Sequence, residues 1–331
     1  MDVFRSVRSY DEQAIISRLR RMSILQHVMV VLVLLATAPA QTAPDRAAAK
    51  QQVLWQKLEA SITDVDRNLD GVMGVAIEDL TSGQKYQLRG DDVFPQASSI
   101  KIAVLAELYR QAQQDKLKLT DVYTVKASDL VADSPIMNGL TPGVTQVTLR
   151  DLATMVVAVS DNSAANILID RVGIENVNSL LDSLGLAHTR LRRKMLDLKA
   201  ASEGRENIST PGEMMTLLEN VYRGKVLNKP LSEDFFRLLS TKKNSWIPRE
   251  LPEDLKVADK EGELEGVRND SGIVFLENRP YILSVMTTYL RRERDGEEAI
   301  SKISVDAYRM FDRLARASEY GRVISPSNSG K

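Results

Sequence analysis

Two histidines are all that this chain offers a serine nucleophile, and one of them, His27, lies in an N-terminal segment read below as an export signal. A Ser-His-Asp relay would have to use His188, so a serine hydrolase built here needs a different base. Lysine can serve when burial and neighbouring positive charge lower its pKa enough to leave a usable neutral fraction. A serine three residues before a lysine on a helix puts both side chains on one face, one turn apart, within reach of proton transfer. That spacing occurs at Ser82/Lys85, Ser98/Lys101 and Ser240/Lys243, so spacing alone does not select one. Context does. Ser82 falls in the turn Thr81-Ser82-Gly83, and Lys243 sits in the polar run Thr241-Lys242-Lys243-Asn244, which reads as solvated surface. Ser98 follows Phe94-Pro95-Gln96-Ala97 and opens an apolar stretch with Ile100, Val104, Leu105 and Leu108. This predicts a helix N-terminus near Ser98, where backbone N–H groups and the helix dipole favour an oxyanion.

Two further groups have both a chemical and an ordinary reading. Ser160-Asp161-Asn162 stands between two helical patterns and would serve as a helix cap; Lys260-Glu261-Gly262 stands at the end of a strand pattern, where a surface lysine before a turn is common. Taken in order, Ser98-x-x-Lys101, Ser160-Asp161-Asn162 and Lys260-x-Gly262 resemble the three-motif signature of class A β-lactamases and penicillin-binding proteins. The resemblance extends to Asn162-Ser163-Ala164-Ala165-Asn166, Thr189-Arg190-Leu191 and Ser209-Thr210-Pro211, and covers roughly residues 50–316. It implies that Ser98 attacks an amide carbonyl while Lys101, or a base acting through water, takes its proton. Ser160 would relay a proton to the departing amine, and Asn162 would hold a substrate amide. Lys260 would supply positive charge near a substrate carboxylate, and Arg268 is a further candidate for that carboxylate.

Two positions depart from the family pattern. The stretch Thr189-Arg190-Leu191-Arg192-Arg193 leads to Met195 where the family's deacylating glutamate is expected. Asp197 is the nearest carboxylate, either a shifted water-orienting group or a solvated or capping residue. Glu261 replaces the hydroxyl residue of the third motif. Two like charges about 4 Å apart repel by roughly 1–4 kcal/mol, so a substrate carboxylate there would bind poorly unless Glu261 pairs with Lys260 or Arg268 or points away. Three readings follow: a β-lactam hydrolase with weak turnover or one using Asp197, a D-alanyl peptidase or esterase, and a non-hydrolytic penicillin-binding receptor.

The elements that must position these residues are legible from periodicity. Leu54, Leu58, Ile62, Val65 and Leu69 predict an amphipathic helix over residues 51–69, followed by a hairpin of Val72–Asp79 and Gln84–Leu88. Helices are predicted for Thr148–Val159, Ala164–Val172, Val177–Leu184 and Met214–Tyr222, the last capped by Thr210 with Pro211 and Glu213 behind it. Strands Leu255–Asp259, Gly272–Leu276 and Tyr281–Thr288 and a helix Glu297–Arg316 close the pattern. The fold class is α/β of the α+β type: an antiparallel sheet from both chain ends flanked by helices, with an all-helical insertion over about residues 105–250 and a cleft between. Residues 41–316 form this hydrolase domain, and a Ser/Asn/Gly-rich tail, 317–331, reads as disordered.

Composition narrows the partners. With 331 residues, 43% of them hydrophobic, the chain can bury a large core. Its 44 basic and 45 acidic residues give a net charge of -1, which offers no electrostatic reason for nucleic-acid or acidic-membrane binding, so a small-molecule substrate is expected. Without cysteine there is no disulfide or thiolate site; no His/Asp/Glu cluster has metal-ligand spacing, and no cofactor is expected. Arg18, Arg20 and Arg21 precede the apolar run Val28–Ala36 and the small-x-small Ala38-Pro39-Ala40, the pattern of a cleaved export signal over residues 1–40, with Met22 an alternative start. The run falls short of the roughly 20 residues a retained membrane anchor needs. A soluble, monomeric periplasmic or secreted product is expected.

Overall fold

The computed structural model describes residues 43–318 and 320–323. The candidate export signal lies outside them, as does the tail from residue 324. Helix α1, Ala43–Asn68, carries Trp55, Leu58 and Ile62 on one buried face. The hairpin that follows joins β1 (Val72–Asp79) to β2 (Lys85–Leu88). Its turn is fixed by Asp79, whose Oδ1 accepts from the Thr81 N–H at 2.9 Å and whose Oδ2 accepts from the Ser82 hydroxyl at 2.7 Å. A two-residue β3 (Phe94–Pro95) leads into a 3-10 turn, Ala97–Ile100, and then helix α2 (Lys101–Gln113). Most side chains of α2 are buried, the polar Lys101, Glu107 and Gln111 among them.

The insertion then unrolls as β4 (Val122–Thr124), β5 (Gln146–Thr148), α3 (Leu149–Ala158), α4 (Asn162–Val172), α5 (Ile174–Ser183), α6 (Leu198–Ser202), β6 (Ile208–Ser209), α7 (Pro211–Tyr222) and α8 (Lys229–Leu239). The chain returns to the sheet with β7 (Val257–Leu264), β8 (Val267–Val274) and β9 (Tyr281–Thr288), and α9 (Glu293–Arg316) closes it. Strand order is β2-β1-β9-β8-β7, antiparallel throughout.

Because side chains alternate along a strand, the sheet separates two cores. Ala76, Ala258, Ile273, Ile282 and Met286 face the helical insertion. Met73, Val75, Ile77, Val274, Leu283 and Val285 face α1 and α9. On that second face Phe311 stacks on Tyr281 with ring centroids 4.2 Å apart and meets the Trp55 ring edge-on at 5.6 Å.

Three expectations need correction. The insertion is not all-helical: β4 pairs with β5, and β6 pairs with β3. These strands are too short to show a period. The third motif is not at a strand end, since β7 runs through Lys260, Glu261 and Gly262 to Leu264. Lys, Glu and Gly are poor strand formers and read as a turn, but pairing with β8, Lys260 opposite Ser271, overrides their propensity. Finally, the chain stays hydrogen-bonded past Arg316, through a bridge between Ala317 and Val323, where disorder was expected.

Candidate active site

Ser98, Ser160, Asn162, Met195, Glu261 and Arg268 line one cleft of about 580 Å³, a size suited to a small molecule. Ser98 is carried by the 3-10 turn rather than by the first turn of an α-helix, which begins at Lys101. Ala97, which opens that turn, has φ +49°, a left-handed conformation uncommon for a residue with a side chain. Ser98 is half-buried at the cleft surface, and its N–H stands in the first turn, where no intrahelical carbonyl precedes it.

Lys101 is fully buried. Its Nζ lies 2.6 Å from the Ser160 carbonyl oxygen, 2.9 Å from Asn162 Oδ1 and 3.1 Å from Ser160 Oγ. Burial, then the positive charge of Lys260, hold its pKa well below that of an ordinary lysine, against the opposing pull of Glu261 and Asp161. A neutral amine has two N–H groups and one lone pair. The carbonyl and amide oxygens can only accept, so they take the N–H groups and leave the lone pair for the Ser160 hydroxyl; among the described residues no hydrogen bond joins Lys101 to Ser98.

Ser160 holds φ +55°, which sets its hydroxyl between two amines: Lys101 on one side and Lys260 Nζ, 3.2 Å away, on the other. The capping and chemical readings of Ser160-Asp161-Asn162 are therefore compatible. Asp161 is the cap, accepting from Ala164 N–H at 3.0 Å and, through its other oxygen, from Ile136 and Met137 N–H at 3.1 and 2.9 Å. Its neighbours are left free to reach Lys101.

Lys260 is buried and pairs with Glu261 Oε1 at 2.5 Å. Of the options open in the sequence, Glu261 thus takes Lys260. Arg268 instead donates to Glu297 at 3.2 Å and to the Leu264 and Val267 carbonyls at 2.9 and 2.8 Å, so its donors are largely committed although it lines the cleft. Gly262 is required where it is: an added Cβ would lie 2.6 Å from both the Gln96 carbonyl oxygen and Ser99 Oγ, and 2.9 Å from Ser99 N. Gly262→Ala is expected to cost about 1–3 kcal/mol in urea melts and to slow acylation by displacing the turn that carries Ser98. Unchanged stability and acylation would mean that the turn yields at no cost.

At the position where the family pattern has its glutamate, Met195 lines the cleft. The Asn166 side chain grips its backbone from both directions, accepting from Met195 N–H at 2.8 Å and donating to its carbonyl at 3.1 Å. Asp197 is placed differently from the water-orienting expectation: it caps α6, accepting from Ala200 N–H at 2.9 Å, and it is not among the cleft-lining residues. Asn207 was not foreseen. It lines the cleft and fixes the loop, accepting from Arg192 and Arg193 N–H at 2.7 and 3.1 Å; an isolated asparagine carries no sequence signal for this.

The other two Ser-x-x-Lys pairs lie elsewhere. Lys85 pairs with Glu219 at 2.8 Å and Glu78 at 3.2 Å. Lys243 is not solvated, as its polar neighbours suggested; it is buried against Asp259 at 2.9 Å. Beside that pair, Asp270 accepts from Trp246 and Ile247 N–H at 3.0 and 2.9 Å, and burial, followed by the charge of Asp259, raises its pKa well above the carboxylate range. A carboxyl whose folded pKa exceeds its unfolded value stabilises the fold fully below the unfolded pKa and loses that contribution as pH rises through the folded one. Asp270→Asn is therefore expected to gain stability relative to the parent as melts move from pH 5 to pH 8. A pH-independent difference would show that Asp270 is ionised.

The fold and this grouping of Ser98, Lys101, Ser160 and Lys260 define a protein of the class A β-lactamase and penicillin-binding type. The description of the β-lactamase enzyme family matches residues 56–311. The chain belongs to that family. It is 30% identical over 262 residues to an imipenem-hydrolyzing β-lactamase of Enterobacter cloacae, covering 74% of this chain and 87% of the relative. Over 251 residues it is 31% identical to β-lactamase SME-1 of Serratia marcescens, covering 73% and 84%. Among solved structures, the β-lactamase from Sphaerobacter thermophilus DSM 20745 superposes with a TM-score of 0.72 at 28% identity, covering 78% of this chain and 97% of that one.

Proposed function

We propose that this protein is an exported serine hydrolase that opens β-lactam amide bonds through an acyl-enzyme on Ser98 and releases the product slowly. The observation that carries this reading is the environment of Lys101: a buried amine held toward its neutral form, with its N–H groups occupied by two acceptor-only oxygens. Lys101 takes the Ser98 proton, the Ser98 N–H contributes to the oxyanion site, and Ser160, between the two lysines, passes a proton to the leaving nitrogen. Asn162 and Lys260 orient the substrate. Slow release is supported by Met195 at the cleft wall and by Asp197, whose carboxylate is spent on a helix cap. Export rests on the N-terminal pattern; among the described residues no helix is long and apolar enough to cross a membrane.

The test is to mix the purified mature chain with benzylpenicillin and to follow intact mass and penicillin loss together. A persistent adduct with slow loss is expected. Rapid turnover without adduct would overturn slow release, and neither adduct nor loss would overturn β-lactam recognition.

A further inference from the structure

Resting on the reading of Ser98 as the acylated residue, we infer that the leaving-group side of the cleft is built for a cationic substrate, an ester, thioester or amide whose departing group carries an ammonium or guanidinium. β-Lactam opening would then be a weak reaction of a site made for another charge.

Glu261 is the first ground. It is 9% exposed and lines the cleft. Its Oε1 meets Lys260, which in turn reaches the Ser160 hydroxyl, so the pair stands where the leaving group departs. One carboxylate thereby cancels the charge that would receive a substrate anion. Its second oxygen, Oε2, is buried with no hydrogen-bond partner. A buried carboxylate oxygen left unpaired is costly, and a ligand N–H donor would relieve that cost. The charge of Lys260 holds the Glu261 carboxyl below the usual carboxylate range in spite of burial, so the oxygen is anionic at neutral pH.

The rest of the lining is the second ground. Asp133, Glu263, Glu265 and Glu293 join Glu261 around the cleft. Glu261 and Glu263 stand at alternate positions of β7 and so share a side, and Glu265 lines the cleft from the turn just past the strand. The two lining guanidiniums do not balance them: Arg193 is paired with Glu206 at 2.6 Å, and Arg268 with Glu297 at 3.2 Å. The cleft is therefore net negative and attracts a cation.

In the reaction Ser98 Oγ bonds to the acyl carbon and its proton passes to Lys101. The bond from that carbon to the leaving sulfur, oxygen or nitrogen breaks, and the leaving atom takes a proton through Ser160. Water then adds to the acyl-enzyme, regenerating Ser98 and releasing the acid.

The test uses thioesters of one acyl group with three leaving thiols: 2-mercaptoethylguanidine (cationic, its protonated guanidinium unable to capture the acyl group as a free amine would), ethanethiol (neutral) and thioglycolate (anionic). Thiol release is followed, and each kcat/KM is normalised to the hydroxide rate of the same thioester. The cationic compound is expected to exceed the anionic one by about tenfold or more, and that ratio is expected to collapse toward one in Glu261→Gln. Equal or reversed preference in the parent overturns the proposal whether or not the variant folds, and a ratio unchanged in a folded variant overturns the assignment to Glu261. Thioester hydrolysis that survives in Ser98→Ala would instead sink the acyl-enzyme reading on which this rests, a separate outcome.

Discussion

Ser98→Ala is expected to abolish the covalent adduct with benzylpenicillin and to lower acyl-substrate hydrolysis by on the order of 10³-fold or more. The magnitude follows from the kind of residue lost. A nucleophile cannot be replaced by its supporting groups, whereas the oxyanion N–H and the binding contacts survive the change and leave only a residual rate. Ser160 is the competing hydroxyl in the cleft, but it lies 3.1 Å from Lys101 and 3.2 Å from Lys260. It is thus placed to pass protons between amines, and its backbone at φ +55° fixes it there. Intact-mass measurement decides between the two hydroxyls: an adduct persisting in Ser98→Ala would move the nucleophile to Ser160. The rate of adduct formation in the parent should fall as pH drops through the lowered Lys101 pKa, because protonation removes the base.

Elements with a strong period were legible in the sequence. The α1 stripe, the β1–β2 hairpin, β9 and the Thr210 cap behave as their residues predict: Thr210 Oγ1 accepts from Glu213 N–H at 3.0 Å with Pro211 in the first turn. The cleft-lining grouping was legible because family motifs fix residue types whose separation along the chain says little by itself. What escaped was set by tertiary context. Lys260, Glu261 and Gly262 belong to a strand only because β8 pairs with them. Lys243 looks solvated until Asp259 is seen beneath it. Asp197 offered two readings, and only the start of α6 two residues after Leu196 makes it a cap. Glu261 was recognisable as an anomaly, but its choice of Lys260 over Arg268 depends on Glu297, which arrives from α9 and engages Arg268.

Met195→Glu is expected to accelerate decay of the acyl-enzyme by roughly 10²- to 10⁴-fold, the usual contribution of a positioned general base. The argument is geometric. Met195 lines the same cleft as Ser98, and the Asn166 side chain fixes its backbone through two hydrogen bonds. A longer polar side chain introduced there inherits a fixed origin and direction. Because Met195 is only 6% exposed, the new carboxylate loses solvent, which raises its pKa toward the working range of a base and costs stability of about 1–3 kcal/mol. Met195→Gln separates the two effects, since it matches glutamate in size and polarity but cannot accept the proton from water. It is expected to carry a similar loss in Tm with no acceleration. Decay of a preformed adduct, timed by mass after excess penicillin is removed, is the measurement. Equal decay in the Glu and Gln variants would mean that the Met195 position does not present a base to the acyl bond, and that slow release has another cause in the cleft.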